Sequence, residues 1–490
     1  MNIMLMKETP RFYSSLGLLI VLNIIIKPVW IFGIDRSVQN ITGTEVYGLY
    51  FSLLGFSIVF NFLLDWGLSA FINREFAAAK ESHISIAGSF LALKLLLVIL
   101  YVVVVFFAAF ISGIGQWDIF WSVVVIQVLT SLFLFFRSII TAQQWFRTDA
   151  WLSVLDKILM IIVCGSFLLF PSVTGIIDMN LFLLIQIGCS AIVLLISIVV
   201  LLRKGFIFSL PSPPLFSKRI FKSALPYGLI VLLMSAHYRL DGFLLERLHG
   251  NGAYETGIYA GAYRLLDAAN MPGYLSASFL LPFIARQYSL KKDMSEVILN
   301  SRHLLLVFSL MIAVIAAILS PWLQEILYHD QNAEAIEVLQ WCLPVLIAYS
   351  LVQVYGTVLT ATGHIVPFCY IVLASVVTNV LLNLLLIPGL GARGSCFAAL
   401  VSQGFCGIGT MLYTRQKLGI NIHYRSLLMY IFMGVLMFGF LYTGNKYISN
   451  KWWLLAGLFV INITASIILK LSDIHKWKIF LKQITNNLNK

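Results

Sequence analysis

The segment ISIAGSFLALKLLLVILYVVVVFFAAFIS, residues 84–112, decides the fold, because it is a long apolar run whose only charged residue is Lys94. An α-helix needs roughly 20 apolar residues to cross a hydrocarbon core about 30 Å thick. The segment therefore predicts a membrane-spanning helix that carries a cation within it. Apolar runs of this length, and cations within them, recur along the chain.

The composition extends this prediction to the whole protein. The chain has 490 residues, of which 60% are hydrophobic and 11% are charged, and its mean hydropathy is +0.93. Soluble domains carry roughly 25% charged residues, so we expect an integral membrane protein almost from end to end. The first apolar run is followed by another span and is predicted to be a retained helix rather than a cleaved signal peptide. The six cysteines contain no C-x-x-C pair, which indicates neither a disulfide framework nor a zinc site.

A search for apolar runs of spanning length predicts fourteen transmembrane helices. They lie near residues 12–34, 46–65, 84–112, 119–140, 151–170, 179–202, 222–245, 257–284, 303–320, 335–360, 365–387, 394–413, 427–443 and 452–470.

The loop charges predict the orientation. With the N-terminus inside, 23 of the 33 Lys and Arg residues fall in cytoplasmic segments and 5 fall on the opposite face. An excess of Lys and Arg marks the cytoplasmic side of a membrane protein. We therefore expect both termini in the cytoplasm and an even number of spans.

A basic segment with three prolines, residues 203–221, divides the chain. It predicts an N-terminal lobe of six helices at 1–202, a second six-helix lobe at 222–415, and an extra helix pair with a basic tail at 416–490. TEVYGLYFSLLGF, residues 44–56, resembles AYETGIYAGAYRLLDA, residues 253–268. Both would enter the membrane from outside, so the repeat is parallel, as in two-lobed transporters. The predicted fold class is an all-α polytopic membrane protein.

Five cations lie inside predicted spans, and a charge at a helix centre costs roughly 2.5–3.5 kcal/mol on insertion scales. Asp156 adjoins Lys157, which favours a shallow structural role for that lysine. The other four are deeper and are predicted to line a water-filled cavity and to bind an anionic substrate: Lys27, Lys94, Arg239 and Arg264. Phosphate is the favoured anion, because a guanidinium group binds its oxygens in pairs.

Acidic residues accompany two of these cations. Arg239 and Asp241 point about 200° apart on one helix and cannot be a simple local pair, whereas Arg264 and Asp267 share a face. A pairing of Asp241 with Arg264 would satisfy both charges when the site is empty. The competing interpretation is that these residues are structural ion pairs.

Sequence motifs for catalysis are absent. The chain contains no G-x-x-x-x-G-K-[ST] loop, H-E-x-x-H or G-x-S-x-G motif. We predict a protein that is not an enzyme and needs no cofactor or nucleic acid. Transport would then draw on an ion gradient or on the concentration difference of the substrate.

Two regions resemble bacterial polysaccharide exporters. TEVYGLYFSLLGFSIVFNFLLDWGLSAFINREFA, residues 44–77, carries Tyr47-Gly48-Leu49-Tyr50, Asp65-Trp66-Gly67-Leu68 and Arg74-Glu75. ASVVTNVLLNLLLIPGLGARGSCFAALVSQG, residues 374–404, carries Asn379, Asn383, Leu386-Ile387-Pro388 and Gly391-x-x-Gly394. Residues 238–270 also look like the helix 7–8 region of these proteins, and the resemblance covers most of residues 10–415.

The resemblance implies an O-antigen-type flippase of the multidrug/oligosaccharidyl-lipid/polysaccharide exporter superfamily. Such proteins move an undecaprenyl-diphosphate-linked glycan to the outer leaflet of the bacterial inner membrane by alternating access. The cations then fit the diphosphate, and Asp241, Asp267 and Asp65 are candidates for coupling a proton or sodium ion, or for gating. Membrane lipids and a polysaccharide polymerase complex are the expected partners. A drug/cation antiporter of the same fold and a membrane polysaccharide polymerase or ligase are the alternatives.

Overall fold

The structure, a computed structural model, describes residues 17–19, 21–69, 83–206, 218–328, 333–421 and 424–469. Across these residues the chain is helical and contains no strand. The predicted all-α fold class is therefore confirmed. The centre of the basic segment, the N-terminus and the basic C-terminal tail lie outside the described residues.

The described chain divides into two compact units, and the division falls between Phe243 and Leu244. The first unit holds helices α1 to α7 and most of α8. These are α1 (Gly17–Thr42), α2 (Thr44–Val59), α3 (Asn61–Asp65), α4 (His83–Ile111), α5 (Trp117–Ala142), α6 (Phe146–Leu169), α7 (Met179–Arg203) and α8 (Lys218–Leu248). The division lies inside α8 rather than in the basic segment, and the predicted lobe boundaries stay a prediction.

The second unit holds the remaining helices. These are α9 (Gly252–Ala269), α10 (Met271–Ser289), α11 (Ser295–Leu327), α12 (Ala333–Cys342), α13 (Val345–Ala361), α14 (Ile365–Leu418), α15 (Tyr424–Tyr447) and α16 (Lys451–Ile468). The pair α15 and α16 corresponds to the predicted extra pair.

By length and composition alone, eleven helices of the described chain could each cross a membrane. The longest of them, α14, is a hairpin, because the backbone turns at Gly391 with φ 55° and ψ −135°. Asn379 Nδ2 donates to Ser402 Oγ across the hairpin at 3.3 Å, so its two halves run antiparallel. The halves match the predicted spans 365–387 and 394–413. The total of fourteen spans stays a prediction.

The first unit is organised around α5, which packs against α7 and α2, while α6 packs against α7 and the middle of α1. Residues 29–35 of α1 form a π-helix. An aromatic and aliphatic core lies between α2, α4 and α5 and includes Phe56, Tyr101 and Phe120. Burial of apolar side chains from three helices fixes their rotation around their own axes.

The second unit is organised around α13, which packs against both α10 and α11 and along α14. The extra pair docks on α11 through an apolar cluster that includes Leu306, Met433 and Leu458. Asn462 on α16 reinforces this contact, because its Nδ2 donates to the carbonyl oxygen of Val307 at 3.2 Å. The extra pair is thus part of the second unit.

Candidate functional site

Lys94 on α4 is fully enclosed, although the sequence predicted that it would line a cavity. Its side chain has 0% exposure. The ammonium group donates to the carbonyl oxygen of Leu64 at 2.7 Å and to Ser131 Oγ at 2.6 Å. It also lies 3.9 Å from Asp65 Oδ1. In this structure Lys94 binds protein groups, and its contact with substrate stays a prediction.

The partners of Lys94 mark a break in the second span. After Asp65 the chain enters the left-handed region at Trp66 (φ 42°) and Gly67 (φ 79°), which ends the short helix α3. The last carbonyls of a helix lack intrahelical donors, and the Lys94 ammonium supplies one to Leu64. A cation there also suits the negative pole of the helix. The Asp65-Trp66-Gly67-Leu68 motif is therefore a helix end held by a buried cation.

Asp65 has a second function at this break. Its Oδ1 accepts hydrogen bonds from Ser69 N at 3.2 Å and from Ser69 Oγ at 2.5 Å. Its side chain is 40% exposed. Asp65 therefore connects the enclosed Lys94 to a more accessible surface, and its gating or ion-coupling role stays a prediction.

Lys27 on α1 differs from Lys94. Its side chain is half-buried, and among the residues that the structure describes it makes no hydrogen bond or ion pair. Its charged neighbours are Asp156, Lys157 and Arg137, in decreasing order of the strength of their electrostatic interaction with Lys27. We define these residues, with Asp149, as the α1–α5–α6 cluster.

The acids of the α1–α5–α6 cluster already have cationic partners. Arg137 Nε and Nη2 donate to Asp149 at 2.6 and 3.2 Å, and Lys157 Nζ lies 3.1 Å from Asp156. With three cations and two acids, the cluster has one positive charge in excess. Lys27 carries that excess.

Arg239 and Asp241 lie near the C-terminal end of α8. Asp241 is buried and Arg239 is half-buried. The backbone at Arg239 packs directly on α2, since a Cβ atom at Gly55 would lie 2.7 Å from the Arg239 carbonyl oxygen. The rings of Phe56 and Phe243 meet at 4.7 Å beside this contact. The absence of a side chain at Gly55 thus sets the position of Arg239.

Arg264 and Asp267 are half-buried on α9 in the second unit. The helix that contains them was predicted to continue past Pro272, but it ends at Ala269 and restarts at Met271. Asp241 belongs to the first unit and Arg264 to the second, so their pairing stays a prediction.

Arg302 is one of the 23 cations counted in cytoplasmic segments, just before the predicted span 303–320, and the structure places it in a helix rather than a loop. Arg302 lies inside α11 with 0% exposure, and its Nη1 donates to Tyr355 OH at 3.3 Å. Tyr430 on α15 interacts with Arg302 and hydrogen-bonds to His303 Nδ1. The search for apolar runs missed this cation, because it placed the start of the span at residue 303. The helix α11 begins two turns earlier, at Ser295. The polar i, i+1 pair Arg302-His303 ahead of an apolar run was the available signal.

Asp35 and Glu255 are further buried acids that the sequence analysis did not select. Tyr47 OH donates to Asp35 Oδ2 at 2.8 Å, and Ala392 N donates to Glu255 Oε2 at 2.7 Å. Asp35 follows the predicted span 12–34, and Glu255 precedes the predicted span 257–284. A charged residue at the end of a predicted span is easily assigned to the adjoining loop. Within the described ranges no group of three or more His, Cys, Asp or Glu residues could hold a metal ion.

Two family models match the sequence. The model described as polysaccharide biosynthesis protein matches residues 14–288, more than half of the chain. The MatE model matches residues 226–385. No curated protein matches the sequence significantly.

Solved structures match over most of the chain. A lipid II flippase MurJ in an inward closed conformation is 11% identical, with a TM-score of 0.67, and the match covers 92% of this chain and 98% of that one. An inward-facing multidrug resistance MATE family transporter is 14% identical, with a TM-score of 0.58, over 84% and 94% of the two chains. A MATE transporter from Vibrio cholerae is 16% identical, with a TM-score of 0.55, over 85% and 98%.

These structures show that the chain has the fold of the MurJ and MATE transporters. By sequence, the chain belongs to the polysaccharide biosynthesis protein family, in agreement with the resemblance to polysaccharide exporters.

Proposed function

We propose that the protein is a flippase that moves an undecaprenyl-diphosphate-linked oligosaccharide, of O-antigen type or similar, from the cytoplasmic to the outer leaflet of the bacterial inner membrane. Alternating access would carry the glycan across, and both termini would face the cytoplasm. The structural similarity to MurJ, a lipid II flippase, supports a lipid-linked substrate. A polysaccharide polymerase complex would use the product.

The excess positive charge at Lys27 is the observation that carries the proposal. Lys27 is half-buried and has no hydrogen-bond or ion-pair partner among the described residues. Such an ammonium group is unfavourable in a membrane helix unless a wet cavity or an anionic ligand receives it. The neighbouring acids cannot fill this role, because Arg137 and Lys157 occupy them. A diphosphate supplies the charge and the acceptor oxygens that Lys27 lacks.

Arg239 and Arg264 would bind the same substrate from their respective units. Lys94 would act differently, as a positioning residue that holds the break after α3 while Asp65 responds to the coupling ion. Asp241 and Asp267 remain candidates for proton or sodium coupling. These roles rest on burial and charge: each acid is buried or half-buried in a helix of the transport fold.

The test is a leaflet assay in proteoliposomes. Purified protein would be reconstituted with a fluorescent polyprenyl-diphosphate oligosaccharide, and its movement between leaflets followed with and without proton or sodium gradients. We expect movement by the wild type and loss of movement in Lys27→Met and Arg239→Ala. Lys451→Met is the matched control, since Lys451 at the start of α16 donates, among the described residues, to two backbone carbonyls alone and should be dispensable.

The second candidate function is a cation-coupled drug antiporter, which the MatE match over residues 226–385 favours. It predicts transport of drug-like cations and no movement of the lipid-linked glycan. In that case Lys27→Met would not reduce transport, because a cationic substrate gains nothing from an excess ammonium group. The same proteoliposomes, loaded with a fluorescent cation, separate the two functions.

A further inference from the structure

Helices α5 and α7 of the first unit end with the same backbone motif. A residue in the left-handed region follows each helix, Gln144 with φ 61° after α5 and Gly205 with φ 84° after α7. The N–H of the next residue then donates to the carbonyl oxygen five residues earlier, at 3.3 Å for Trp145 and at 3.1 Å for Phe206. This is the Schellman motif, which turns the chain back over the last helical turn. Each helix end therefore presents an aromatic residue.

The two aromatic residues meet and bring the helix ends together. The ring centroids of Trp145 and Phe206 lie 6.3 Å apart, and the rings are nearly perpendicular, which is a favoured arrangement of aromatic pairs. Lys204, at the end of α7, places its Nζ atom 5.6 Å from the centre of the Trp145 ring, within the range of a cation–π contact. The turn between α5 and α6 thus lies against the end of α7.

Three exposed cations surround this contact, and we call them the α6–α7 basic patch: Arg147, Arg203 and Lys204. Neither arginine makes a hydrogen bond or an ion pair within the described part of the chain. Asp149, in the first turn of α6, does not neutralise the patch, because it is buried and accepts two hydrogen bonds from Arg137. The patch therefore carries a positive charge that its nearest acid does not balance.

The position of Arg147 favours an anionic partner. Arg203 and Lys204 lie at the C-terminal end of α7, where cations suit the negative pole of a helix. Arg147 instead lies in the first turn of α6, next to the positive pole, where a cation is unfavourable. The contact between the two helix ends adds the charge of Lys204 to the same place. An anion at this point would offset all of these positive charges.

The neighbouring apolar residues place the patch at the level of lipid headgroups. Trp151 lies four residues after Arg147 on α6 and is 48% exposed, and Val199 lies four residues before Arg203 on α7 and is 44% exposed. Residues four apart share one face of a helix. In a membrane protein such exposed apolar side chains face acyl chains, and each arginine lies one turn nearer to the helix end. The anion at that depth is a phospholipid phosphate.

We propose that the α6–α7 basic patch binds the headgroup of an anionic phospholipid of the phosphatidylglycerol type. Arg147 and Arg203 donate to the phosphate oxygens, which guanidinium groups bind in pairs, and Lys204 adds a third charge. The acyl chains lie along Trp151 and Val199. Basic groups at the membrane surface attract anionic lipids in this way. The site concerns a lipid of the bilayer and does not depend on the proposed function.

The test is a binding titration with purified full-length protein in a neutral detergent. A fluorescent phosphatidylglycerol would be titrated with the protein and its anisotropy recorded, with unlabelled phosphatidylglycerol, phosphatidylcholine and inorganic phosphate as competitors. We expect saturable binding that weakens with added salt, because salt screens charges at an exposed site. Unlabelled phosphatidylglycerol should compete far better than the other two. Equal competition by phosphatidylcholine, or displacement by inorganic phosphate, overturns an anionic lipid as the ligand.

The triple variant Arg147→Gln/Arg203→Gln/Lys204→Gln tests the residues. Each cation near a membrane surface contributes about fivefold in affinity, so we expect binding roughly 100-fold weaker than that of the wild type. The double variant Arg147→Lys/Arg203→Lys keeps the charges and should retain most of the affinity. If the triple variant does not fold, Arg147→Gln alone decides, with an expected loss of about fivefold.

The matched control is Arg286→Gln/Lys291→Gln/Lys292→Gln. It also removes three exposed positive charges, but from the end of α10, where Asp293 follows the two lysines. Its affinity for phosphatidylglycerol should stay close to that of the wild type. An unchanged affinity in the patch variant overturns the site. An equal loss in the patch variant and the control also overturns it, because binding would then follow net charge alone.

Discussion

The carboxylate of Glu255 holds the turn of the α14 hairpin, because its Oε2 accepts a hydrogen bond from Ala392 N at 2.7 Å. Glu255 lies in the first turn of α9 and is 4% exposed. The preceding residue, Gly391, adopts φ 55° and ψ −135°. A Cβ atom there would lie 2.4 Å from Glu255 Oε2. The acid therefore occupies the space that glycine leaves, and α9 is joined to both halves of the hairpin.

Gly391→Ala should be among the most destabilising single substitutions in the second unit. The added methyl group would collide with the buried Glu255 carboxylate, and the backbone conformation disfavours any side chain by roughly 1–3 kcal/mol. We expect a lower melting temperature and little folded protein in the membrane. Gly389→Ala is the control, because nothing lies within 4 Å of its Cβ position; equal stability of the two variants would refute the clash.

Glu255→Ala should destabilise the protein by about 1–3 kcal/mol, because it leaves the Ala392 N–H buried without an acceptor. Glu255→Gln keeps an acceptor oxygen and should lose less. Detergent melting curves of the two variants provide the comparison. If Gln is as damaging as Ala, the negative charge, rather than the hydrogen bond to Ala392, is what the turn requires.

Lys94→Met and Lys27→Met should both reduce export, but only Lys94→Met should reduce stability. Removal of Lys94 leaves the Leu64 carbonyl and Ser131 without their donor, so we expect a loss of about 1–3 kcal/mol in stability and a fall in export that follows the loss of folded protein. Lys27 makes no hydrogen bond or ion pair with the described residues, so its replacement should lower export while the melting temperature stays nearly unchanged. The measurements are melting curves and the leaflet assay on the same preparations. Equal melting temperatures with equal export would contradict both assignments.

Gly55→Ala should impair transport through Arg239. The new methyl group would meet the Arg239 carbonyl oxygen at 2.7 Å and force α2 and α8 apart, which in packed interiors costs about 1–3 kcal/mol. We expect reduced export with Arg239 itself unchanged. Gly188→Ala on α7 is the control, since open space surrounds that position; normal export by Gly55→Ala would show that the position of Arg239 is not critical.

The sequence predicted the helices well because hydropathy and length follow directly from the thickness of a membrane. The segments around Lys94 and the two halves of α14 were located to within a few residues. The family resemblance followed from motifs such as those around Tyr47 and Asp65, and the family match confirmed it. Such properties depend on local sequence and need no knowledge of tertiary contacts.

The partners of each buried charge could not be predicted from the sequence. Lys94 and Lys27 are both lysines in apolar helices, yet one has three protein partners and the other has none among the described residues. The difference arises from Leu64 and Ser131, which are 30 and 37 residues away from Lys94. The burial of Arg302 was missed for a similar reason, because its contacts are with Tyr355 on α13 and Tyr430 on α15. The position of a cation along a spanning helix cannot by itself show whether protein groups or a ligand bind it.

The partners of Lys94 also impose an order on the synthesis of the protein. Leu64 and Asp65 precede Lys94 in the chain, but Ser131 emerges from the ribosome 37 residues later. At roughly 5–20 residues per second, about 2–7 s pass before α5 can complete the enclosure. During that interval the Leu64 carbonyl and Asp65 on α3 are the partners that the ammonium group can reach. We therefore expect α3 and α4 to enter the bilayer as neighbours, and slowing translation between residues 94 and 131 should lengthen the period in which the nascent chain is sensitive to membrane proteases.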